Sequence, residues 1–541
     1  MCGPQDITNL FWSSIKVDFS DQCFRRSLLE ALKKQSFSQF KVEELSIILY
    51  SLVKVECEDR DLLSKIHLEL KHRNFQHFSC RTISGVIWSF ASLRNVMEID
   101  SFIINNLCNE IKARSLKSFN AKDISNMFWG LILLLEPVKA KLIILLLLEE
   151  LRNRNLSEFK PQDISIFVWG MAKVGINDEV FLVALVADLR HRTLCDFNSQ
   201  NLVNSFWGLA TLISAESDAQ QNLLSLVCKE IKNREFREFN PQDISNVLWS
   251  LAHLQMFDEI DLQKLIYAEV CNRIKSFSSR DISEILWSMA SLRYYHKEVI
   301  TLFIQQIKVW DFTNKEIANI LWSLANFNEG NSATIDFLLS DFQKNITESN
   351  AQDFINIVWS LACLDLFQHS QVKELLSKSL PQDMSIPKVG LIAQQLHQAI
   401  ITWQQVFPYD DMPVLLRDLN KHNWVQSYLK VHRSSAVSSV THLEISSTLR
   451  NMGFSDLRNE YETPHGVLVD ILLTKKVVVE VDGPVHFFVN EHRPLGRTLF
   501  KRRLLSRFGY RVVSIDVLEW DHQNTKIKKI EYLEMLLQQK E

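Results

Sequence analysis

Three carboxylates near the C-terminal end of this 541-residue chain, Asp470, Glu480 and Asp482, have the types and spacing for metal or acid–base chemistry. Glu480 and Asp482 are two apart in an apolar, β-branched run, so on a strand both side chains leave the same face. If Asp470 faces them from the preceding apolar run, three carboxylates converge. Like charges that close together require protons or a divalent cation between them. In the alternative reading, Asp482-Gly483-Pro484 builds a turn while Asp470 and Glu480 pair with nearby Arg or Lys. Beside these acids lies a run of cations, Arg493, Arg497, Lys501, Arg502, Arg503, Arg507 and Arg511, and no acidic residue occurs from His492 to Ile515. In a chain of formal net charge −4 this is a local cluster, of a kind suited to phosphate contact.

Several elements must position these residues. Thr441–Met452 reads as an amphipathic helix ending at Gly453. Val467–Leu473 and Lys476–Val481, separated by Thr474-Lys475, read as a hairpin or closely spaced strands. The spacing then predicts a helix over Gly496–Phe508, a strand over Tyr510–Ile515 and, after Trp520, a last helix over Ile527–Gln538. Together they make a small α/β domain. The strings Val469-Asp-Ile-Leu-Leu473, Val479-Glu-Val-Asp-Gly-Pro-Val-His486, Arg497-Thr-Leu-Phe-Lys-Arg-Arg-Leu-Leu505 and Gly509-Tyr-Arg-Val-Val-Ser-Ile515 resemble a RAP domain over residues 437–537. That resemblance implies a restriction-endonuclease-like fold, related to PD-(D/E)xK and very-short-patch-repair nucleases, and a role in RNA binding. Carried over by position, Asp470 matches the first carboxylate and Glu480 the second, while Asp482 stands where those nucleases have lysine. His486 takes the place of a histidine in related domains, and Glu444 matches the acid of the leading helix. Nuclease activity would use Asp470, Glu480 and Asp482 as ligands of Mg2+ or Mn2+, with His486 or Lys501 assisting; binding alone needs no cofactor.

Most of the remaining chain repeats one unit, seen most clearly at Phe239–Leu254. Its aromatic recurs as Trp12, Tyr50, Trp88, Trp129, Trp169, Trp207, Trp249, Trp287, Trp322 and Trp359. Such spacing is the length of a two-helix repeat. Each copy opens like a helix N-terminus: Asn240 caps, Pro241 takes the first turn, and Asp243 meets the positive helix end, as in Asn120…Asp123, Ser278…Asp281 and Asn350…Asp353. The recurrent acid is therefore read as a cap. Ile244, Val247, Leu248, Leu251 and Ala252 project to one side, with Trp249 at that stripe's edge, so the aromatic column is read as array core. A Ser or Gly always follows the aromatic, which predicts close helix approach.

Two polar columns have open readings. Asn9, Asn126, Asn204, Asn246, Asn319 and Asn356, three before the aromatic, either bond between repeats or read base edges. Arg73, Arg114, Arg154, Arg192, Arg234 and Arg273, with Lys308, end the second helices. They answer the helix dipole or form a ladder for a phosphate backbone. Past Trp359 the pattern decays into Pro387–Thr402, with His397 at the aromatic position, and this reads as a degraded terminal repeat.

The nine cysteines include no Cys-x-x-Cys pair, which argues against zinc and disulfides and for a reducing compartment. The apolar run Leu142–Leu148 is too short to span a bilayer. Met1 leads almost directly into a repeat, with no signal peptide or organelle leader in view. The expectation is an α-solenoid of about ten two-helix repeats (1–402), a connector (403–435) and a RAP domain (436–541). The expected partner is RNA, single-stranded or ribosomal, together with ribonucleoprotein proteins and no membrane. The resemblance implies a mitochondrial or plastid role in RNA processing, stability, rRNA maturation or translation. The alternatives are a metal-dependent endoribonuclease and a protein scaffold.

Overall fold

The computed structural model describes residues 3–17, 21–192, 194–212, 218–344, 346–380, 390–432 and 439–538. The chain folds as two compact units, Met1–Phe239 and Asn240–Glu541.

In the first unit six helices carry the repeat motif: Pro4–Lys16, Val42–Lys54, Cys80–Leu93, Ala121–Leu134, Pro161–Val174 and Ser199–Leu212. Each is followed by a second helix, such as Arg60–Lys71 or Pro137–Arg152, and the six motif helices pack one on the next within this unit. The expected grammar is what starts them. Asn120 Oδ1 accepts the Asp123 N–H at 2.8 Å while Asp123 accepts the Asn120 N–H in return. The cap has a second use that spacing did not disclose. Asp123 is buried, and the Ser84 hydroxyl of the preceding repeat donates to it at 2.6 Å. The cap thus also ties neighbouring repeats together. The column of small residues does permit close approach: a Cβ on Gly208 would lie 2.9 Å from the Val168 backbone.

The second unit continues the pattern with motif helices Pro241–His253, Ser279–Ser291, Asn314–Phe327, Ala351–Cys363 and Gly390–Val406. Ser245 donates to the cap Asp281 at 3.2 Å, as Ser84 does in the first unit. Of the degraded repeat expected at Pro387–Thr402, residues 387–389 lie outside the described residues. Helices Val414–Leu419 and Trp424–His432 follow within the expected connector, and the latter packs on Gly390–Val406.

The C-terminal sheet has four strands in the order β1 (Arg458–Glu462), β2 (Leu468–Thr474), β3 (Val477–Asp482) and β4 (Arg511–Asp516). β1, β2 and β3 are antiparallel neighbours, and β3 pairs parallel to β4. β1, rich in charge and half-buried, had no apolar alternation to announce it. Ile471, Leu473, Val479, Val513 and Ile515 share one face and form a core with Ile445, Leu449, Trp520 and Leu533 from the flanking helices. Asp470, Glu480, Asp482 and Ser514 alternate to the other face. Against that face lies helix Gly496–Arg507, which also contacts Asn314–Phe327 and Ala351–Cys363.

The seating is tight at Gly496, where an added Cβ would fall 1.8 Å from the Ala325 carbonyl oxygen. Gly496→Ala should therefore loosen the sheet domain from these two repeats without disturbing its own core, at a cost of about 1–3 kcal/mol. Hydrogen exchange should show faster exchange in Asn314–Phe327 and Ala351–Cys363 while β3 and β4 stay protected; unchanged exchange in both repeat helices would refute the contact.

Candidate functional site

In the first unit the cation column of the second helices is internal, whereas Lys308 in the second unit is exposed. Arg114 donates to the Phe78, Phe75 and Gln76 carbonyls and pairs with Glu110 at 3.0 Å. Arg154 bonds Leu116 O and Glu150; Arg192 bonds Phe159 O, Leu156 O and Asp188; Arg234 bonds Phe197 O, Leu194 O and Glu230. Arg73 does the same with Phe37 O, Ser38 O and Glu69. These guanidiniums satisfy carbonyls in the turn of the preceding repeat, so the phosphate ladder expected of Arg114, Arg154, Arg192 and Arg234 is overturned.

The aromatic column is less internal than a core. Every member is half-buried except Trp359, which is buried. Rings of neighbouring repeats approach at a tilt, with centroids 5.9 Å apart for Trp12–Tyr50, 5.0 Å for Tyr50–Trp88 and 6.2 Å for Trp88–Trp129. In the second unit Trp287 and Trp322 stand 6.4 Å apart. Lys54 lies over Tyr50 and Trp88, and Lys173 over Trp169 and Trp207.

The asparagines lie on the same helix face, also half-buried except for exposed Asn9. Among the described residues, the side chains of Asn126, Asn204, Asn246 and Asn319 make no hydrogen bond, so the inter-repeat bonding reading fails for these four. Asn356 accepts from Gln352 of its own helix at 2.9 Å. A further column was missed. Seven residues before the aromatic stand exposed Gln5, Arg81, Lys122, Gln162, Gln200, Gln242, Arg280 and Lys315, with an acid, Glu43, in the Tyr50 copy, within about 40° of the asparagines on the helix. The projection that found the buried stripe would have shown them.

On the sheet domain the predicted acids do gather on one face, each with a partner. Asp470 Oδ2 accepts the Val481 N–H at 2.6 Å. Glu480 Oε2 meets Lys501 Nζ at 2.5 Å. Asp482 Oδ2 accepts from Arg502 at 2.6 Å and from Ser514, and Asp482 Oδ1 lies 3.3 Å from His486 Nδ1. Burial pushes the Glu480 carboxyl up to about 7 against the pull of Lys501, with Asp470 and Asp482 adding to the rise. Burial lowers the His486 pKa although Asp482 opposes it. Burial also disfavours the Lys501 charge, but Glu480 and Asp470 outweigh it and the ammonium is held.

A shared divalent cation would need an oxygen from each acid turned toward a common point. Here one oxygen of each acid is taken by a backbone N–H, an ammonium or a guanidinium, and no three His, Cys, Asp or Glu side chains among the described residues are grouped to hold a metal. The set Asp470, Glu480 and Asp482 therefore does not fit Mg2+ or Mn2+. Glu444 stands elsewhere, accepting Trp520 Nε1 at 3.0 Å and Lys529 at 2.7 Å across the core helices.

The cation run is a clasp and not an open phosphate face. Arg493 donates to Phe327 O and Glu329, Arg503 to Ala362 O and Cys363 O, and Arg507 to Asp365. Arg511 donates to Leu536 O and Leu537 O. With Lys501 and Arg502 on the acids, the polar ends expected to face solvent are engaged within the fold. Arg497 stays exposed and donates to Val485 O at 3.1 Å.

Since the folded pKa of Glu480 is raised, its contribution to stability is fully present below about 4.5 and is lost as pH rises through about 7. Urea melts of the wild type and Glu480→Gln should show their stability difference moving against the wild type between pH 5 and pH 8. A pH-independent difference would contradict the buried-carboxylate geometry.

A family model described as RAP domain matches residues 479–536, the stretch holding Glu480, Asp482, His486 and the cations. A second, described as RNA-editing substrate-binding complex 6 protein, matches residues 230–333 in the repeats. The "RAP domain-containing protein, chloroplastic" of Oryza sativa subsp. japonica is 29% identical over 194 residues. That match covers 34% of this chain and 29% of the relative, so the chain spans under a third of its length. The buried β3 acids, the helix that answers them and the matched sequence coincide: residues 479–536 are a RAP domain, carried behind an array of helical repeats.

Proposed function

We propose that this chain is an organellar RNA-binding protein whose motif helices hold single-stranded RNA. The observation that carries this reading is the polar–aromatic stripe. In each unit, half-exposed indoles offer stacking surface, amides without internal partners offer hydrogen bonds, and Lys or Gln side chains flank them. Stacking on aromatic rings together with cations along the strand is how single strands are held with little sequence preference. The organellar setting is supported by the chloroplastic relative and by the RNA-editing family that the repeats match. No helix of the described residues is long and apolar enough to cross a membrane.

Anisotropy with the full chain and a mixed-sequence single-stranded RNA tests this. Asn246→Ala with Asn319→Ala should weaken binding by about two- to tenfold per amide, at unchanged Tm. Lys122→Gln should make the salt slope shallower by about 0.7. Arg154→Ala should lower Tm and leave the salt slope of the folded chain alone. Absence of RNA binding by the wild type at low salt, or asparagine variants that bind as the wild type does, would overturn the reading.

A further inference from the structure

Within the second unit a cavity of about 280 Å3 opens between the RAP domain and the last repeats. One wall is repeat: Trp322, Trp359 and Leu391, with the amides of Gln394, Gln395 and Gln398. The other is RAP domain: Glu480, His486, Arg497 and Lys501. Two of these residues are in an unusual state. Glu480 is 3% exposed and Gln395 is 4% exposed, yet Glu480 Oε1 and Gln395 Oε1 each have no hydrogen-bond partner among the described residues. A buried acceptor left unmade costs about 1–3 kcal/mol, so two on one cavity call for N–H donors from a ligand. Close by, Arg293 donates to Pro484 O and Arg497 to Val485 O, gripping one turn with two guanidiniums. After burial, the Arg293 charge is what lowers the Arg497 pKa, and no carboxylate offsets it. An anion beside this pair would relieve the repulsion.

We infer that this cavity takes one nucleotide of the bound RNA and selects bases that carry an amino group. The indoles supply the flat apolar wall, Glu480 and Gln395 accept from the base, and Arg293 and Arg497 face the phosphate. Guanine, adenine and cytosine each present an amino group to an acceptor, whereas the uracil edge presents a single N3–H between two carbonyl oxygens, so that of two acceptors one is left facing an oxygen that repels it. Cleavage is no part of this role. The inference rests on the RNA-binding reading and is tested apart from it.

The probes are the 5′-monophosphates of adenosine, guanosine, cytidine and uridine, titrated into the full chain by calorimetry. The amino-bearing nucleotides should bind at least about tenfold tighter than uridine monophosphate. Glu480→Gln, which replaces a free acceptor with a group that also donates, should narrow that ratio to within about twofold. If that variant melts well below the wild type, Gln395→Leu, which removes the second acceptor, is read in its place. Equal binding of all four nucleotides, no binding of any, or undiminished selectivity in the folded variant would overturn the inference. If the wild type binds long RNA but not nucleotides, the pocket fails and the RNA-binding reading stands. Selective nucleotide binding without affinity for long RNA would uphold the pocket and overturn the RNA-binding reading.

Discussion

A guanidinium on a backbone carbonyl is the bond on which this architecture depends. A stack of short helices leaves carbonyls unsatisfied at every helix end and turn, and a buried one must find a donor. In the first unit, arginines at the ends of second helices reach the turn of the preceding repeat, as Arg114 does with Phe78. In the second unit, the RAP domain does the same from outside the array. Arg493 takes the last carbonyl of Asn314–Phe327, and Arg503 takes those closing Ala351–Cys363. The negative ends of those helices favour the cation, and charged hydrogen bonds of this kind contribute about 1.5–3 kcal/mol each. The same chemistry that stacks the repeats fastens the terminal domain to them.

That bond explains which parts of the chain were legible. Helix starts, the buried stripe and the small-residue column follow from local rules, and residues such as Asn120, Ile244 and Gly208 express them without ambiguity. The α/β order of the C-terminal domain was readable for the same reason, since β2, β3 and β4 carry apolar alternation. Residues such as Arg154 and Arg503 were not readable. A surface arginine and a carbonyl-capping arginine have identical sequence signatures, and only the fold reveals the partner 38 or 141 positions away. The acids posed a related difficulty. Two-residue alternation correctly put Glu480 and Asp482 on one face, but the cations that answer them come from a helix about twenty residues later. Asn126, Asn204, Asn246 and Asn319, conversely, read as undecided and emerge without hydrogen-bond partners among the described residues.

The acid cluster shows how converging carboxylates are held by the protein's own cations. Lys501 and Arg502 supply the positive charge that the clustered carboxylates require, and they do so with fixed side chains. The compensation is incomplete at Glu480. One oxygen is salt-bridged and the other faces low-dielectric surroundings, which is why its pKa rises despite the ammonium.

The spacing of the indole rungs sets how a strand can be held. For a flat base to slip between two parallel rings, their planes must stand about 7 Å apart, twice the van der Waals contact distance. Neighbouring rings here are 5.0 to 6.4 Å apart and tilted. At these four pairs nothing can intercalate, so a polymer there is gripped along one flank only. Such a track tolerates sliding, and any fixed register must be imposed by a stop at one end.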